Sequence, residues 1–422
     1  MKALIRAWAL GLVRLFYPWR AVGGAERLPS IGPVIVVANH PNGLIDPLIV
    51  RLAVGRPVAF LGKSTFWDNP VSRLGMQSFG ALPVYRAHEA DTRQNERTFA
   101  ACHDLLREGG WLALFPEGKS HDETTLQPLK TGAARIALGA GAPGLHVVPV
   151  GLLYEDKAIF RSPVAVAIGR PIPVEAGDPG DRAAVAALTE RIEDALGAVV
   201  LEAENATLWR AMLAVAHWTG AATLAAREEK ARALAAAWRR LLAEDPAGAE
   251  AIVADVTRYQ SALQSVGVRD PLAIEEAAPA SAAPGLLFAA LLAPFALVGA
   301  LLAWLPYRLV RPLSARLARG HVDVIGTIKL LLGFVVLAPV YLAWAAAAAA
   351  WSPAAGAAVL VVGPLTGLAA LRFDEVLSRR AEALRGMSLR LFRPQVALAL
   401  AERRRELAAR VEAGLAAYRA ST

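Results

Sequence analysis

His40 and Asp46 are separated by five residues, Pro41-Asn42-Gly43-Leu44-Ile45. An imidazole held by a carboxylate can take a proton from a hydroxyl near neutral pH, so the pair could act as a general base. Alone, the same pattern also fits a surface histidine on a helix-entry turn with Asp46 as its cap. The surroundings argue for chemistry. Val34 to Ala38 is an unbroken apolar run, rich in β-branched residues, which predicts a strand buried on both faces. It stops at Asn39-His40-Pro41-Asn42-Gly43, a cluster of turn residues. A polar turn at the tip of a buried strand is held rigidly by the sheet, which suits it to reactive groups.

Further turns of this kind follow. The apolar run from Pro57 to Leu61 leads into Gly62-Lys63-Ser64. Phe79 to Arg86 reads as a strand ending in Arg86, whose planar fork of donors suits a phosphate. Trp111 to Phe115 reads as a buried strand running into Pro116-Glu117-Gly118-Lys119-Ser120. Backbone N–H groups freed by such a glycine turn, with a lysine beside them, can cradle an anion. Lys130 opens the next helix and, like Lys63, is either a phosphate contact or a surface lysine laid along apolar groups. Strands from Leu145 to Tyr154 and from Val164 to Ile168 follow, the first containing Pro149, which argues for a strand edge or a bulge. Helical spacing marks Asp91 to Arg107 and Gly132 to Leu138. The alternation predicts an α/β fold, a mixed, mostly parallel sheet flanked by helices.

Four blocks in this order resemble the glycerolipid acyltransferase family of the 1-acylglycerol-3-phosphate (PlsC-like) type. They are Asn39-His40 with Asp46-Pro47, Gly80-Ala81-Leu82-Pro83-Val84-Tyr85-Arg86, Phe115-Pro116-Glu117-Gly118-Lys119-Ser120, and Val148-Pro149-Val150-Gly151. The resemblance spans residues 25 to 175. The family places four residues between its His and Asp, and the fifth here falls in the Asn42-Gly43 turn. The third block carries Lys119 where the family more often has Arg. The resemblance implies that His40 is the general base and that Asp46 orients its ring. It implies that Asn39, Lys63, Arg86, Glu117, Gly118, Lys119, Ser120 and Lys130 hold the acceptor phosphate and glycerol, and that Pro149 shapes the acyl-donor side. The implied reaction is direct attack of a hydroxyl on an acyl thioester, with acyl-CoA or acyl carrier protein as co-substrate and neither metal nor other cofactor. No Ser or Cys stands in a recognisable nucleophile setting, which agrees with direct transfer.

The chain has 422 residues, 55% of them hydrophobic, and a net charge of +8. That balance fits an anionic phospholipid surface. The basic residues form no stripe interleaved with aromatics, which sets nucleic acid aside. The single cysteine, Cys102, excludes a disulfide framework. Residues 1–24 are expected to form an amphipathic helix on the membrane surface, with Tyr17-Pro18-Trp19 as its interfacial end. The catalytic domain is expected at 25–178, a helical region at 179–270 including one helix over 206–242, and a linker at 271–284. Membrane segments are expected at 285–372 and an amphipathic tail at 373–422.

Three apolar stretches occupy the membrane region, Gly285 to Leu305, Leu330 to Trp351 and Pro353 to Leu371. Arginines after the first and third place both flanks in the cytoplasm, with the catalytic domain. That parity makes the first stretch re-entrant or interfacial and the other two a hairpin turning at Ser352-Pro353. The expectation is thus an acyltransferase of phospholipid biosynthesis on the cytoplasmic membrane, acting on a lysophospholipid. The alternative acceptors are glycerol 3-phosphate and dihydroxyacetone phosphate. A metal hydrolase built on His40, His88, His103, His121 and His146 lacks any ligand spacing to support it. A non-catalytic membrane-binding protein would leave the four blocks unexplained.

Overall fold

The structure, a computed structural model, describes residues 1–18, 20–85, 95–221, 223–275 and 282–420. Arg86, Trp19 and residues 276–281 of the expected 271–284 linker lie outside the described residues, and the rest of that stretch holds α10 (Leu272–Glu275) and the start of a long helix at Ala282. Two compact units are present, Met1–Leu213 with Ala221–Ala235 and His321–Thr327, and Ala214–Gly220 with Ala236–Gly320 and Ile328–Thr422.

The first unit is built on an eight-stranded sheet. Its strands are β1 (Arg20–Gly23), β2 (Val34–Ala38), β3 (Ala59–Lys63), β4 (Leu82–Val84), β5 (Trp111–Leu114), β6 (His146–Tyr154), β7 (Val164–Ile168) and β8 (Ile172–Pro173). The order is β1-β7-β6-β2-β5-β3-β4, with β8 also on β6. β2 runs parallel to both β5 and β6, and β3 parallel to both β4 and β5. Only β7 and β8 oppose their neighbour β6, so the sheet is mixed and mostly parallel, as the alternation predicted. All five residues of β2 are buried, which explains its lack of polar alternation. The helices of this unit are α1 (Lys2–Phe16), α2 (Ile45–Val54), α3 (Pro70–Ser78), α4 (Asn95–Arg107), α5 (Gly132–Gly139) and α6 (Arg182–Gly197).

Four expectations need correction here. The helix expected over 1–24 ends at Phe16, and β1 follows within that stretch, unread because four residues pairing β7 carry too little pattern to stand out. Pro149 is not at a sheet edge, since β6 is paired on both sides. It sits where the antiparallel neighbour changes from β8, ending opposite Val147, to β7, starting opposite Val150. Gly169 N–H donates to the Pro149 carbonyl at 2.9 Å, so the missing proline donor faces this break, as a bulge would allow. Tyr17 is fully buried rather than interfacial. The unit also runs beyond residue 178. Val185, Leu188 and Ile192 of α6 share one core with Ile35, Val37 and Leu112, because the sheet face needs that helix to cover it.

The rest of the chain, shared between the two units, is helical. The expected single helix over 206–242 is two, α7 (Ala206–Trp218) and α8 (Leu224–Glu244), broken at Gly220 with φ +91°. After these come α9 (Pro246–Ser265), α10 (Leu272–Glu275), α11 (Ala282–Ala318), α12 (Val322–Ala349), α13 (Pro353–Phe392) and α14 (Pro394–Ala420). The boundary between the units passes through α7, α8 and α12. Among the described residues three helices are long and apolar enough to cross a membrane, within α11, α12 and α13. α11 is one unbroken helix of 37 residues and not a re-entrant loop. Its Pro294, Pro306 and Pro312 are tolerated inside the helix. Its backbone lies against α13, where a Cβ on Gly299 would come within 2.0 Å of the Thr366 carbonyl. Arg308, Arg311 and Arg316 are helical rather than in a loop. The turn between α12 and α13 is where it was expected, with Ser352 capping α13 through the Ala355 N–H.

Candidate active site

The parallel strands β2, β5, β3 and β4 all present their C-terminal ends at one sheet edge. His40 follows β2, the 115–120 turn follows β5, Lys63 ends β3 and Tyr85 follows β4. Three of the four blocks therefore meet by topology. The fourth is in β6, where Pro149 is buried opposite Val37 of β2.

His40 and Asp46 are in contact. Nδ1 of the imidazole lies 2.8 Å from Asp46 Oδ2. Gly43, with φ +34°, turns the chain, and the Ile45 N–H closes on the Asn42 carbonyl at 3.0 Å, which starts α2 one residue before Asp46. The extra residue is thus absorbed in the turn. Asp46 is fully buried, and its carboxylate accepts two more hydrogen bonds, from the Asn42 N–H at 2.6 Å and the Tyr154 hydroxyl at 2.6 Å. A buried carboxylate needs such donors to replace water. As acceptor of all three it assigns a proton to Nδ1 and leaves the Nε2 lone pair free to act as a base. The imidazole stacks on Phe115, with ring centroids 4.0 Å apart, and its side chain is 17% exposed, so one edge reaches solvent.

Tyr154 escaped the sequence reading, and Tyr17 was read only as an interfacial residue. Burial pushes both phenols well above their ordinary pKa, and the nearby Asp46 charge adds to this, so both remain donors. Tyr17 donates to the Lys157 carbonyl and accepts from Asn42 Nδ2, each at 2.8 Å. Lys157 in turn reaches the Pro41 carbonyl at 2.9 Å and Asp122 at 2.5 Å. The signal available for Tyr154 was a polar-tipped aromatic closing an apolar strand, which is weak by itself.

Three residues expected to hold the acceptor face inward instead. Asn39 bonds the Leu152 N–H at 2.7 Å and carbonyl at 3.1 Å, so its amide extends the ladder to β6 beyond the end of β2. Glu117 is buried, and its oxygens accept from the His40 and Gln127 N–H groups, each at 2.9 Å, and pair with His121. It braces the backbone under the imidazole and is closed to a ligand. Ser120 gives its hydroxyl proton to Asp323, at 2.6 Å. What remains for an anion is the turn itself. Gly118, with φ +77°, lies under the Lys130 side chain, where a Cβ would come within 2.6 Å of Nζ, and Lys119 beside it is exposed. A left-handed glycine with two lysines is a cationic cradle. Lys63 is half-buried at the same edge.

A strand-tip imidazole backed by a buried carboxylate can act as a base, and the lysine-bearing glycine turn beside it can hold an anion. Residues 20–153 match the family model described as Acyltransferase. Relatives include a chloroplastic 1-acyl-sn-glycerol-3-phosphate acyltransferase of Brassica napus, 30% identical over 155 residues, or 36% of this chain and 42% of the relative. A glycerol-3-phosphate O-acyltransferase of Saccharomyces cerevisiae is 41% identical over 90 residues, 20% of this chain and 12% of the relative. The chain thus spans less than half the length of either relative. The 1-acyl-sn-glycerophosphate acyltransferase of Thermotoga maritima aligns with 20% identity over 46% of this chain and 76% of that one, at a TM-score of 0.36, too low to bear on the site.

Proposed function

We propose that the chain transfers a fatty acyl group from a thioester, acyl-CoA or acyl carrier protein, to the hydroxyl of a lysophospholipid such as 1-acylglycerol 3-phosphate. The observation that carries this is the 2.8 Å contact between His40 and the triply bonded Asp46, at the edge that also bears the Gly118 cradle. The acceptor phosphate binds the turn through Lys119 and Lys130, with Gly118, whose N–H goes to the Phe115 carbonyl at 3.0 Å, allowing the close approach of Lys130, and Lys63 lies within the same set of strand ends. Arg86, outside the described residues, belongs with them by the family pattern. His40 Nε2 takes the proton as the hydroxyl oxygen attacks the thioester carbonyl. The tetrahedral intermediate collapses, the C–S bond breaks, and the imidazolium returns the proton to the departing thiolate. Asp46 stabilises the imidazolium in between, and no cofactor is required. General-base help of this kind is worth ~10²–10⁴-fold.

A membrane setting supports a lipid acceptor. The first turns of α12, one of the candidate crossings, belong to the same compact unit as His40. The catalytic unit then stands on the cytoplasmic face of the cytoplasmic membrane. Glycerol 3-phosphate is the second acceptor to test, because the yeast relative named for it shares the highest identity of the two compared. The test follows thiol release from acyl-CoA by the full-length chain in membranes, with each acceptor in turn. His40→Ala is expected to fold and to lose at least ~10²-fold in turnover. Wild-type turnover by that variant would overturn the assignment.

A further inference from the structure

Residues far outside the matched 20–153 stretch complete the catalytic unit. His321–Thr327, the head of α12, is grouped with the sheet and not with the rest of its helix. Asp323 is buried and accepts the Ser120 hydroxyl at 2.6 Å. One turn on, Gly326 lies against the site's own network. A Cβ there would come within 2.8 Å of Asn42 Oδ1, 2.9 Å of the Lys157 carbonyl and 3.1 Å of the Tyr17 hydroxyl. The same helix turn covers Gly43, where a Cβ would meet Thr327 Oγ1 at 3.2 Å and the Asp323 carbonyl at 3.4 Å. Both turns that carry chemistry, 40–46 and 117–120, are therefore bounded by one helix head.

We propose that Asp323 is a positioning residue for the acceptor site, holding Ser120 and through it the Gly118-Lys119 cradle against the base. A serine hydroxyl given to a buried carboxylate is not available to a phosphate. Its effect on the ligand comes from the backbone it fixes, since Ser120 follows Lys119 directly. Two polar atoms at this contact, Asn42 Oδ1 and Thr327 Oγ1, are buried without a hydrogen-bond partner among the described residues. Groups of that kind are retained at a price in stability, which fits a contact kept for function. Gly326 is needed because any side chain would push the helix head off Asn42, whose N–H holds Asp46.

The inference rests on the acyltransferase reading, and the experiment separates the two. Acceptor and donor KM values and kcat are measured for wild type, Asp323→Ala, Asp323→Asn, Ser120→Ala and the Asp323→Ala/Ser120→Ala double variant. Asp323→Ala is expected to raise the acceptor KM about tenfold, as loss of one such bond implies, with donor KM unchanged. Asp323→Asn, which keeps an acceptor oxygen, is expected to restore most of the loss, and the double variant to be no worse than either single one. Equal rises in both KM values, additive losses, or no rescue by Asn would overturn the proposal. If wild type acylates neither acceptor, the functional reading fails instead. The contact is then judged by thermal unfolding of the same variants, where zero coupling between positions 120 and 323 overturns it and clear coupling supports it.

Discussion

Tyr154→Phe isolates the least visible part of the site. The substitution keeps the ring, which packs edge-on to Tyr17 with centroids 5.2 Å apart, and removes only the hydroxyl that donates to Asp46 Oδ1. A hydrogen bond to a charged group is worth ~1.5–3 kcal/mol. For a unit of this size each kcal/mol moves Tm by roughly 2–4 °C, so the variant should melt ~3–12 °C lower. Catalysis should suffer less. His40 and the Asn42 N–H both bond Oδ2, and neither contact involves Tyr154. The carboxylate keeps its grip on the imidazole and gains some freedom to rotate, so kcat should fall by less than about tenfold, well short of the ~10²–10⁴ assigned to the base. Unfolding in detergent and thiol release under saturating acceptor give both quantities from one preparation. In an Asp46→Ala background the same change should be nearly neutral, because its partner is gone. A wild-type Tm would mean the hydroxyl does not hold Asp46. A loss of kcat as large as that of His40→Ala would mean Tyr154 meets the reactants itself.

Gly151→Ala should fail to accumulate as folded protein, because its Cβ would lie 1.8 Å from the Val199 carbonyl, a backbone atom of the sheet's cover; a soluble, active variant would refute this packing. Burial pushes the Cys102 thiol up to about 12, so maleimide should label it slowly in the native chain and fast after denaturation, as mass spectrometry can check. In the helical unit Arg258 and Arg410 hold the Asp255 carboxyl down at about 2, with Arg403 3.0 Å away. A carboxyl lowered on folding stabilises above the ordinary carboxylate range and loses that contribution as pH falls towards 2. Asp255→Asn should therefore flatten the acid limb of the stability profile below about pH 4, measured by unfolding at each pH.

Sequence separation explains what could be read in advance. His40 and Asp46 met as expected because five residues and one glycine turn decide their geometry locally. The strands were legible for a similar reason, since a buried parallel strand writes its burial into consecutive residues. The roles of Asn39, Glu117 and Ser120 were not legible, although their positions were. Each has a partner far along the chain, 113, 77 and 203 residues away, and nothing in a polar side chain's own neighbourhood says whether it faces a ligand or another strand. Pro149 shows the same limit. Its lack of a donor was read correctly, but which neighbour that gap would face depended on β7 and β8 changing places beside it.

These long-range partners bear on how the base is made. The turn carrying His40 is tied to β6 through Asn39 and Leu152, to β5 through Glu117, and to the end of β6 again through Tyr154 and Asp46. Each tie uses a buried polar group that would be costly if left unpaired. The 40–46 turn therefore cannot reach its working geometry before β2, β5 and β6 are assembled side by side. Substitutions that loosen β6 far from any substrate yet leave the chain folded should then disable the base as effectively as changes beside it.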